Sequence, residues 1–343
     1  MNIESLSNIE FIVVVFFIFC VSWISIFFYT KVAIKVGILA TPNNRTSHEI
    51  SKPSGGGIVF SIIFLLCIFV MWLLRLLSEE LMIILGVGGF FATLLGFLDD
   101  KNNIRAKNKL ILQIILSLFA IFFLEGGPLV SFDIMPEILA VILSILFLVW
   151  VINAYNFMDG IDGMASSGAI FSSFLIAITV SLSGNLTDIA LLLFLLATII
   201  SAFLTFNWPP AKIFMGDAGS VFLGYIFGVL TLYTSINNEV SFFTWMIAFS
   251  YFIADTSVTQ FLRLILVKKW YLPHRSHAYQ NIARITKSHL KPTFGVILYN
   301  IFWALPLGIW SVLDPEKALL CVCFAITPGI FIAYFYGPKL SSY

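Results

Sequence analysis

Charged residues are scarce in this chain. Asp, Glu, Lys and Arg make up 11% of its 343 residues, whereas hydrophobic residues make up 60%. A soluble domain usually contains about 25% charged residues, so this scarcity excludes an ordinary soluble protein and predicts an integral membrane protein. The formal net charge of +1 says nothing about partners, and we expect no nucleic-acid partner.

Cysteine is also rare, and the N-terminus lacks basic residues. The four cysteines lie inside apolar runs, without the spacing of a disulfide framework or a metal site, and are predicted to be small buried apolar residues. No Lys or Arg precedes the first apolar run, which extends to about Tyr29. We therefore expect a retained spanning helix and not a cleaved signal peptide.

Long apolar runs fill most of the chain. A spanning helix needs about 20 apolar residues, and windows of that length fit about eleven times. The windows are 9–29, 58–76, 81–98, 109–125, 137–153, 164–182, 188–205, 220–236, 242–266, 293–312 and 318–337. Some are short or closely spaced, so ten is the alternative count. We predict one all-α polytopic membrane domain over residues 1–343, a bundle of about eleven transmembrane helices.

Lysine and arginine are distributed unevenly among the loops. If the first loop is cytoplasmic, every one of these residues except Arg75 and Lys317 lies on the cytoplasmic side. Positive charge favours that side of the membrane, so we predict the N-terminus outside and the C-terminus inside. The conspicuous polar loops then all face the cytoplasm.

One polar segment, 153–163, joins two spanning helices. Asn153, Asn156, Asp159 and Asp162 recur at every third position, which groups them on one broad helix face or in line on a 3₁₀ turn. Carboxylates near the hydrocarbon are costly, which favours a functional interpretation. The alternative is a polar helix end with turn glycines.

Asp99 and Asp100 end the third predicted span. Two adjacent carboxylates at a helix C-terminus oppose the helix dipole and each other, which suits a metal ligand or a general base. The alternative is a solvated cap balanced by Lys101.

The loop 207–220 contains Asp217 between Gly216 and Gly219, immediately before the next span. A carboxylate held beside backbone N–H groups at a helix N-terminus can bind Mg²⁺ while phosphates bind the amides. Phe214 would then be free to stack on a base, and the alternative is an aromatic residue that faces the membrane.

Two further segments have features of anion binding. Lys52 precedes a run of three glycines that includes Gly56, and such a run can let the backbone approach a phosphate or simply form a turn. The loop after the ninth span contains His274, Arg275 and His277, which can bind a pyrophosphate or the anionic inner leaflet. Zinc is disfavoured there, since no Cys, and no Glu beside the first His, completes a site.

These features place five carboxylates, a basic loop and a glycine run on one membrane face. Carboxylates with Mg²⁺ and a basic clamp are what phosphoryl transfer to or from a pyrophosphate requires. Asp255, two helical turns before Arg263, is predicted to pair with a cation inside the bundle. The rival hypotheses are an ion-coupled secondary transporter and an accessory membrane protein without chemistry.

In this order along the chain, the motifs resemble those of the polyprenyl-phosphate N-acetylhexosamine-1-phosphate transferases. The resemblance runs from about Pro42 to Lys291 and rests on Asp99-Asp100, Asn153-x-x-Asn156-x-x-Asp159-Gly-Ile-Asp162-Gly, Phe214-Met-Gly-Asp217-x-Gly-Ser and the loop with His274 and His277. It implies an enzyme of ten or eleven spanning helices that depends on Mg²⁺, with Mn²⁺ as the alternative metal. Such enzymes move a sugar 1-phosphate from a UDP-sugar to undecaprenyl phosphate and release UMP.

The resemblance also implies roles for individual residues. Asp217 matches the principal Mg²⁺ ligand, Asp99 the acid thought to deprotonate the lipid phosphate, and Phe214 the residue that stacks on uracil. With the patterns above, this predicts catalysis by Asp99, Asp100, Asp159, Asp162 and His277, metal binding by Asp217 and Asp100, and substrate binding by Asn153, Asn156, Asn207, Phe214, Gly216, Arg275, His274, Lys52 and Gly56.

The basic loop departs from the peptidoglycan-precursor branch of these enzymes, which has a run of adjacent histidines. It is similar to the branch that starts O-antigen and related surface polysaccharides. We therefore expect a UDP-N-acetylhexosamine donor, an undecaprenyl phosphate acceptor and a cytoplasmic-facing site in a bacterial inner membrane. Transfer of phospho-N-acetylmuramoyl-pentapeptide is the alternative within the family, and a homodimer is an assembly that the resemblance allows.

Overall fold

The computed structural model describes residues 8–40, 51–124, 136–182, 187–267 and 274–338. Four basic residues that entered the orientation argument lie outside these ranges: Arg45, Lys268, Lys269 and Lys339. Within the described ranges the structure is helical apart from loops and one short antiparallel pair, β1 (Leu39–Ala40) with β2 (Lys52–Pro53).

Fifteen α-helices make up the described bundle. In chain order they are α1 (Asn8–Val36), α2 (Gly56–Leu73), α3 (Glu79–Met82), α4 (Gly88–Asn102), α5 (Ala106–Phe123), α6 (Glu137–Met158), α7 (Met164–Ser181), α8 (Asp188–Asn207), α9 (Asp217–Ile236), α10 (Phe242–Ala248), α11 (Ser250–Leu266), α12 (Ala278–Thr286), α13 (Leu290–Tyr299), α14 (Leu305–Leu313) and α15 (Ala318–Tyr336). π-Helical turns at Ile83–Val87 and Asn300–Ala304 join α3 to α4 and α13 to α14. A 3₁₀ turn, Pro315–Lys317, precedes α15.

The predicted fold class, a polytopic all-α membrane protein, is confirmed. Ten helical stretches in the described part of the chain are long and apolar enough to cross a membrane. The remaining predicted span, 242–266, is present as α10 and α11, which are separated at Phe249 with φ −99° and ψ 7°. At this break Ser172 donates its hydroxyl to the carbonyl oxygen of Ala248 at 3.2 Å, so a side chain of α7 bonds the backbone where the helix is interrupted.

Where the sequence predicts only a basic loop after the ninth span, the structure contains the short helix α12. Its buried side chains include Tyr279 and Asn281. The Asn281 amide nitrogen donates to the carbonyl oxygens of Tyr336 at 2.6 Å and Gly337 at 2.9 Å. α12 is therefore anchored to the end of α15 and holds the basic segment against the bundle.

α9 lies at the centre of the bundle, and its residues from Ala218 to Leu232 are all buried. Outer helices such as α1 and α5 instead expose large apolar side chains, among them Phe16 and Phe122. Lipid tails are as apolar as these side chains, so helix association depends on close packing and internal hydrogen bonds.

Glycines allow α2 and α4 to approach the start of α9 very closely. A Cβ atom built on Gly57 would lie 2.3 Å from the Cα of Gly219, and one built on Gly96 would lie 2.2 Å from the carbonyl oxygen of Asp217. Any side chain at either position would displace the first turn of α9. These glycines therefore determine where the Asp217 carboxylate is placed.

We expect Gly57→Ala to destabilise the protein, because the added methyl group would overpack a backbone contact, at a typical penalty of about 1–3 kcal/mol. A melting curve of the detergent-solubilised protein should show a clearly lower transition temperature. Gly295→Ala is the matched control, since its added Cβ would meet nothing within 4 Å. Equal transition temperatures for the two variants would contradict the packing assignment.

Candidate active site

Polar residues from four helices meet at one end of the bundle. Asp99 and Asp100 lie in the last turn of α4, and Lys109 lies in the first turn of α5. Asn156 lies in the last turn of α6, and Asp217 is the first residue of α9. Residues far apart in sequence thus form one group, in which the carboxylates need a compensating positive charge.

Lys109 provides that charge. Its Nζ atom lies 2.6 Å from Oδ2 of Asp99, 2.8 Å from Oδ2 of Asp217 and 3.5 Å from Oδ1 of Asn156. Sequence reasoning missed this role, because Lys109 was counted only as one of the positive charges that orient the chain. The available signal was its position at the start of an apolar helix, where a cation usually has a partner or a function.

The Asp217 carboxylate is fixed from both sides. Lys109 binds its Oδ2 atom, and the Asn156 amide nitrogen donates to its Oδ1 atom at 2.8 Å and to the Ser220 hydroxyl at 3.0 Å. The structure therefore brings the predicted residues Asn156 and Asp217 into direct contact. Their predicted roles in substrate and metal binding stay predictions.

Asp100 caps the N-terminus of α9. Its oxygens accept from the backbone N–H groups of Asp217 at 2.9 Å and Ala218 at 3.1 Å, a favourable use of a carboxylate at a helix start. Gly216 precedes this turn with φ 76°, and a Cβ there would lie 2.7 Å from Oδ2 of Asp100. A glycine is therefore required at 216 because the Asp100 carboxylate approaches its backbone closely. Asp99, which precedes Asp100 in α4, accepts the N–H of Ile104 at 2.8 Å.

Asp159 and Asp162 occupy contrasting environments in the turn after α6. Burial raises the pKa of Asp159 well above its usual value, and the charges of Asp217 and Asp100 raise it further. Burial also opposes ionisation of Asp162, but hydrogen bonds from His289 and the Ala211 N–H, together with the charges of His289 and Lys52, leave its pKa lowered. Asp159 therefore retains a proton more readily, and Asp162 is ionised more readily.

Asp162 joins three segments of the site. It accepts the N–H of Ala211 at 2.9 Å and lies 3.2 Å from Nδ1 of His289. Lys52 Nζ is 3.9 Å from Asp162 and 5.4 Å from the centre of the Phe214 ring. The structure thus groups Lys52, Asp162 and Phe214, which sequence placed on separate loops, and adds His289, which sequence reasoning did not select.

Three predicted substrate-binding residues have their polar groups bonded inside the protein. The Asn153 amide nitrogen donates to Gln113 at 2.8 Å and to the carbonyl oxygen of Val149 at 2.7 Å. Asn207 is buried; its Oδ1 accepts from the Gly163 N–H and the Ser166 hydroxyl, and its Nδ2 donates to the Ile213 carbonyl. The Gly56 N–H donates to the carbonyl oxygen of Phe214 at 3.0 Å.

These contacts favour the structural alternative for the glycine run, while its predicted contact with a phosphate stays a prediction. The N–H groups of Gly56 and Gly57 are bonded to the carbonyls of Phe214 and Met215, and the missing side chains serve helix packing. For Asn153 and Asn207 the contacts explain why an amide is present, while their predicted contact with substrate stays a prediction.

The basic loop docks against the polar turn after α6. The Tyr279 hydroxyl donates to the carbonyl oxygen of Phe157 at 2.5 Å, and the rings of Phe157 and His277 lie 5.7 Å apart. Burial, followed by the charges of His277 and Arg263, lowers the pKa of His274 to about 3. Burial and the neighbouring Arg284 lower the pKa of Arg275. The structure therefore brings the predicted histidines next to the segment that carries Asn156 and Asp159.

This fold and site define a class of protein. It is a polytopic membrane protein in which a lysine holds a cluster of carboxylates at one end of the helix bundle. Such a cluster suits the handling of charged phosphates at the membrane surface.

Residues 82–235, which make up less than half of the chain, match the model of glycosyl transferase family 4. Over 286 residues it is 29% identical to a probable undecaprenyl-phosphate N-acetylglucosaminyl 1-phosphate transferase of Bacillus subtilis (strain 168), covering 80% of this chain and 78% of that protein. A phospho-N-acetylmuramoyl-pentapeptide-transferase of Streptococcus pneumoniae (strain Taiwan19F-14) is 30% identical over 220 residues, 60% of this chain and 66% of that protein. The corresponding transferase of Prochlorococcus marinus (strain MIT 9301) is 31% identical over 221 residues, 59% of this chain and 61% of that protein. The predicted family resemblance is confirmed.

Proposed function

We propose that this protein transfers an N-acetylhexosamine 1-phosphate from a UDP-sugar to undecaprenyl phosphate and releases UMP. The observation that carries the proposal is the convergence of Asp99, Asn156 and Asp217 on Lys109 at the membrane surface. The name of the Bacillus relative favours N-acetylglucosamine as the sugar. The reaction would start a cell-envelope polysaccharide such as O-antigen.

In the proposed reaction an oxygen of the lipid phosphate attacks the sugar-linked phosphorus of the donor. A new P–O bond forms there, and the bond from this phosphorus to the oxygen shared with UMP breaks, so that UMP leaves with the electron pair. A direct attack and a two-step route through an aspartyl-phosphate use the same residues.

The donor set of the cluster fits Mg²⁺. Mg²⁺ prefers oxygen ligands and usually binds one or two carboxylates, with waters and substrate phosphates as its other ligands. Asp217 and Asp99 supply such carboxylates, and their shared contact with the Lys109 ammonium indicates a place where positive charge is stabilised. Among the described residues no group of three or more His, Cys, Asp or Glu side chains forms a complete metal site. Bound Mg²⁺ would neutralise the diphosphate and polarise its oxygens.

The chain's own residues supply the other parts of the reaction. Asp99, which follows the exposed apolar residues Phe97 and Leu98 in α4, would accept the proton of the lipid phosphate. Lys109 would hold the two carboxylates together and compensate their charge. Phe214 with Lys52 and Asp162 would hold the base of the nucleotide, and His277 and Arg275 would stabilise the departing phosphate of UMP.

The site then faces the cytoplasmic side of a bacterial inner membrane, the side on which the conspicuous polar loops are predicted to lie. The excess of lysine and arginine on that side supports the orientation. A secondary transporter is disfavoured, because the carboxylates cluster at helix ends and not near the bilayer midplane.

We expect purified membranes containing this protein to transfer radiolabelled sugar phosphate from UDP-N-acetylglucosamine to undecaprenyl phosphate. Removal of divalent cations with EDTA should abolish the lipid product, because the diphosphate charge is then not neutralised. Added Mg²⁺ should restore it, with UMP released in equal amount.

A panel of donors sharpens this experiment. UDP-N-acetylgalactosamine and UDP-N-acetylmuramoyl-pentapeptide should be assayed beside UDP-N-acetylglucosamine. A product from the pentapeptide donor alone would replace the polysaccharide assignment by the peptidoglycan alternative. Folded protein that forms no lipid product with any donor would refute the proposed function.

A further inference from the structure

Asp255 lies inside the bundle on α11, and its side chain is 1% exposed. Its Oδ1 atom accepts from Nδ1 of His277 at 3.1 Å, from the Thr259 hydroxyl at 3.1 Å and from the N–H of Ala278 at 3.1 Å. Its Oδ2 atom accepts from the N–H of Tyr279 at 3.2 Å. The side chain that pairs with Asp255 is therefore the His277 ring, while Arg263 donates to Ser276. A buried carboxylate is stable only with such partners.

The contact with Asp255 determines the state of the His277 ring. Both oxygens of Asp255 accept from backbone N–H groups, so this carboxylate acts as an acceptor and the proton of its contact with the histidine is assigned to Nδ1. The ring is also stacked between His274 and Tyr279, with centroid distances of 5.1 and 5.8 Å. The contact at Nδ1 and the orientation of the ring are thus both fixed.

The other ring nitrogen, Nε2 of His277, is buried and has no hydrogen-bond partner among the described residues. Buried polar groups normally have partners, so an exception calls for an explanation. His277 packs against Phe157, which lies between Asn156 and Asp159 of the candidate site. The unpaired nitrogen therefore lies beside the segment that faces the proposed substrates.

We infer that Asp255 is a positioning residue for the proposed transfer, on which this inference rests. It holds the His277 ring through Nδ1–H, so that a proton bound at Nε2 can be donated to an oxygen of the phosphate that leaves with UMP. The competing role is purely structural, because Asp255 also caps α12 through the N–H groups of Ala278 and Tyr279. The experiment must separate these two roles.

We expect Asp255→Asn to lower kcat by about 10²-fold, the scale of a positioned acid–base group, with little change in KM for UDP-N-acetylglucosamine. His277→Gln should give a similar loss, and the double variant should lose no more than the His277 variant, because the two residues act as a unit. Thr259→Val is the matched control: it removes another hydrogen bond to the same carboxylate oxygen and leaves His277 in place. It should retain activity within about twofold.

Rescue of activity by added imidazole distinguishes the two roles, because a purely structural role of Asp255 would not make the rescue depend on Asp255. Added imidazole should restore part of the activity of His277→Gly, and it should fail to do so when Asp255→Asn is also present. Additive losses in the double variant, rescue without Asp255, or equal losses in the Asp255 and Thr259 variants would overturn the inference. Wild-type protein is assayed in parallel. If the wild type makes no lipid product, the proposed function is refuted. If the wild type and the Asp255→Asn variant are equally active, only the positioning role is refuted.

Discussion

Asp217→Asn is expected to reduce sugar-phosphate transfer by at least about 10²–10³-fold, the usual effect of removing one electrostatic group from a preorganised site. The substitution keeps the size of the side chain and removes its charge. An amide has only one accepting oxygen, so it cannot present a separate oxygen to Lys109 and to Asn156, as the carboxylate does. It is also a much weaker ligand for a hard cation such as Mg²⁺.

The measurement is the rate of lipid-product formation from UDP-N-acetylglucosamine at saturating Mg²⁺. Asp188→Asn is a suitable control, because Asp188 is the first residue of α8 as Asp217 is of α9, but lies at the opposite end of the bundle. Its activity should match that of the wild type. A melting curve should show that both variants are folded, and an active Asp217→Asn protein would refute the metal and charge assignments.

The sequence was sufficient to predict the fold class, because spanning helices are encoded by local composition. Each apolar window produces its helix regardless of its neighbours. The break at Phe249 was not predictable in this way, since the apolar pattern continues through 242–266 without Pro or Gly. The interruption depends on tertiary contacts, among them the hydrogen bond from Ser172 to Ala248.

The acidic residues of the site were also identifiable from sequence, because a carboxylate at the end of an apolar helix is conspicuous. Their partners were not. Helix packing decides which partner each of Asn153 and Asn207 bonds. Asn153 donates to Gln113, and Asn207 accepts from the N–H of Gly163. The packing role of the glycine run was not predictable for a related reason: sequence shows that a side chain is missing at Gly57 but not that the backbone of Gly219 occupies its place.

Lys109→Met is the second substitution for which we expect a large effect. Met retains much of the length of lysine and removes the ammonium that lies between Asp99 and Asp217, so the two carboxylates lose the charge that holds them together. We expect transfer to fall by about 10²–10³-fold, as for loss of one electrostatic stabiliser. The assay is the same lipid-product assay, and Lys107→Met is the control, since Lys107 is exposed in the same helical turn.

A second readout distinguishes loss of charge from loss of fold in the Lys109 variant. If the ammonium and Mg²⁺ compete for the same carboxylates, removing the ammonium leaves more uncompensated negative charge, so Mg²⁺ should bind the substrate-free variant more tightly. Half-maximal thermal stabilisation should then occur at a lower Mg²⁺ concentration than in the wild type, although the variant is nearly inactive. If thermal stabilisation of the variant and of the wild type depends equally on Mg²⁺ concentration, the metal does not bind at Asp99 and Asp217. If the variant is fully active, the Lys109 ammonium is not needed for the reaction. The expected combination, tighter Mg²⁺ binding with loss of transfer, would mean that the reaction itself requires the lysine. Its ammonium would then hold the carboxylates in place until a cation binds together with the substrate.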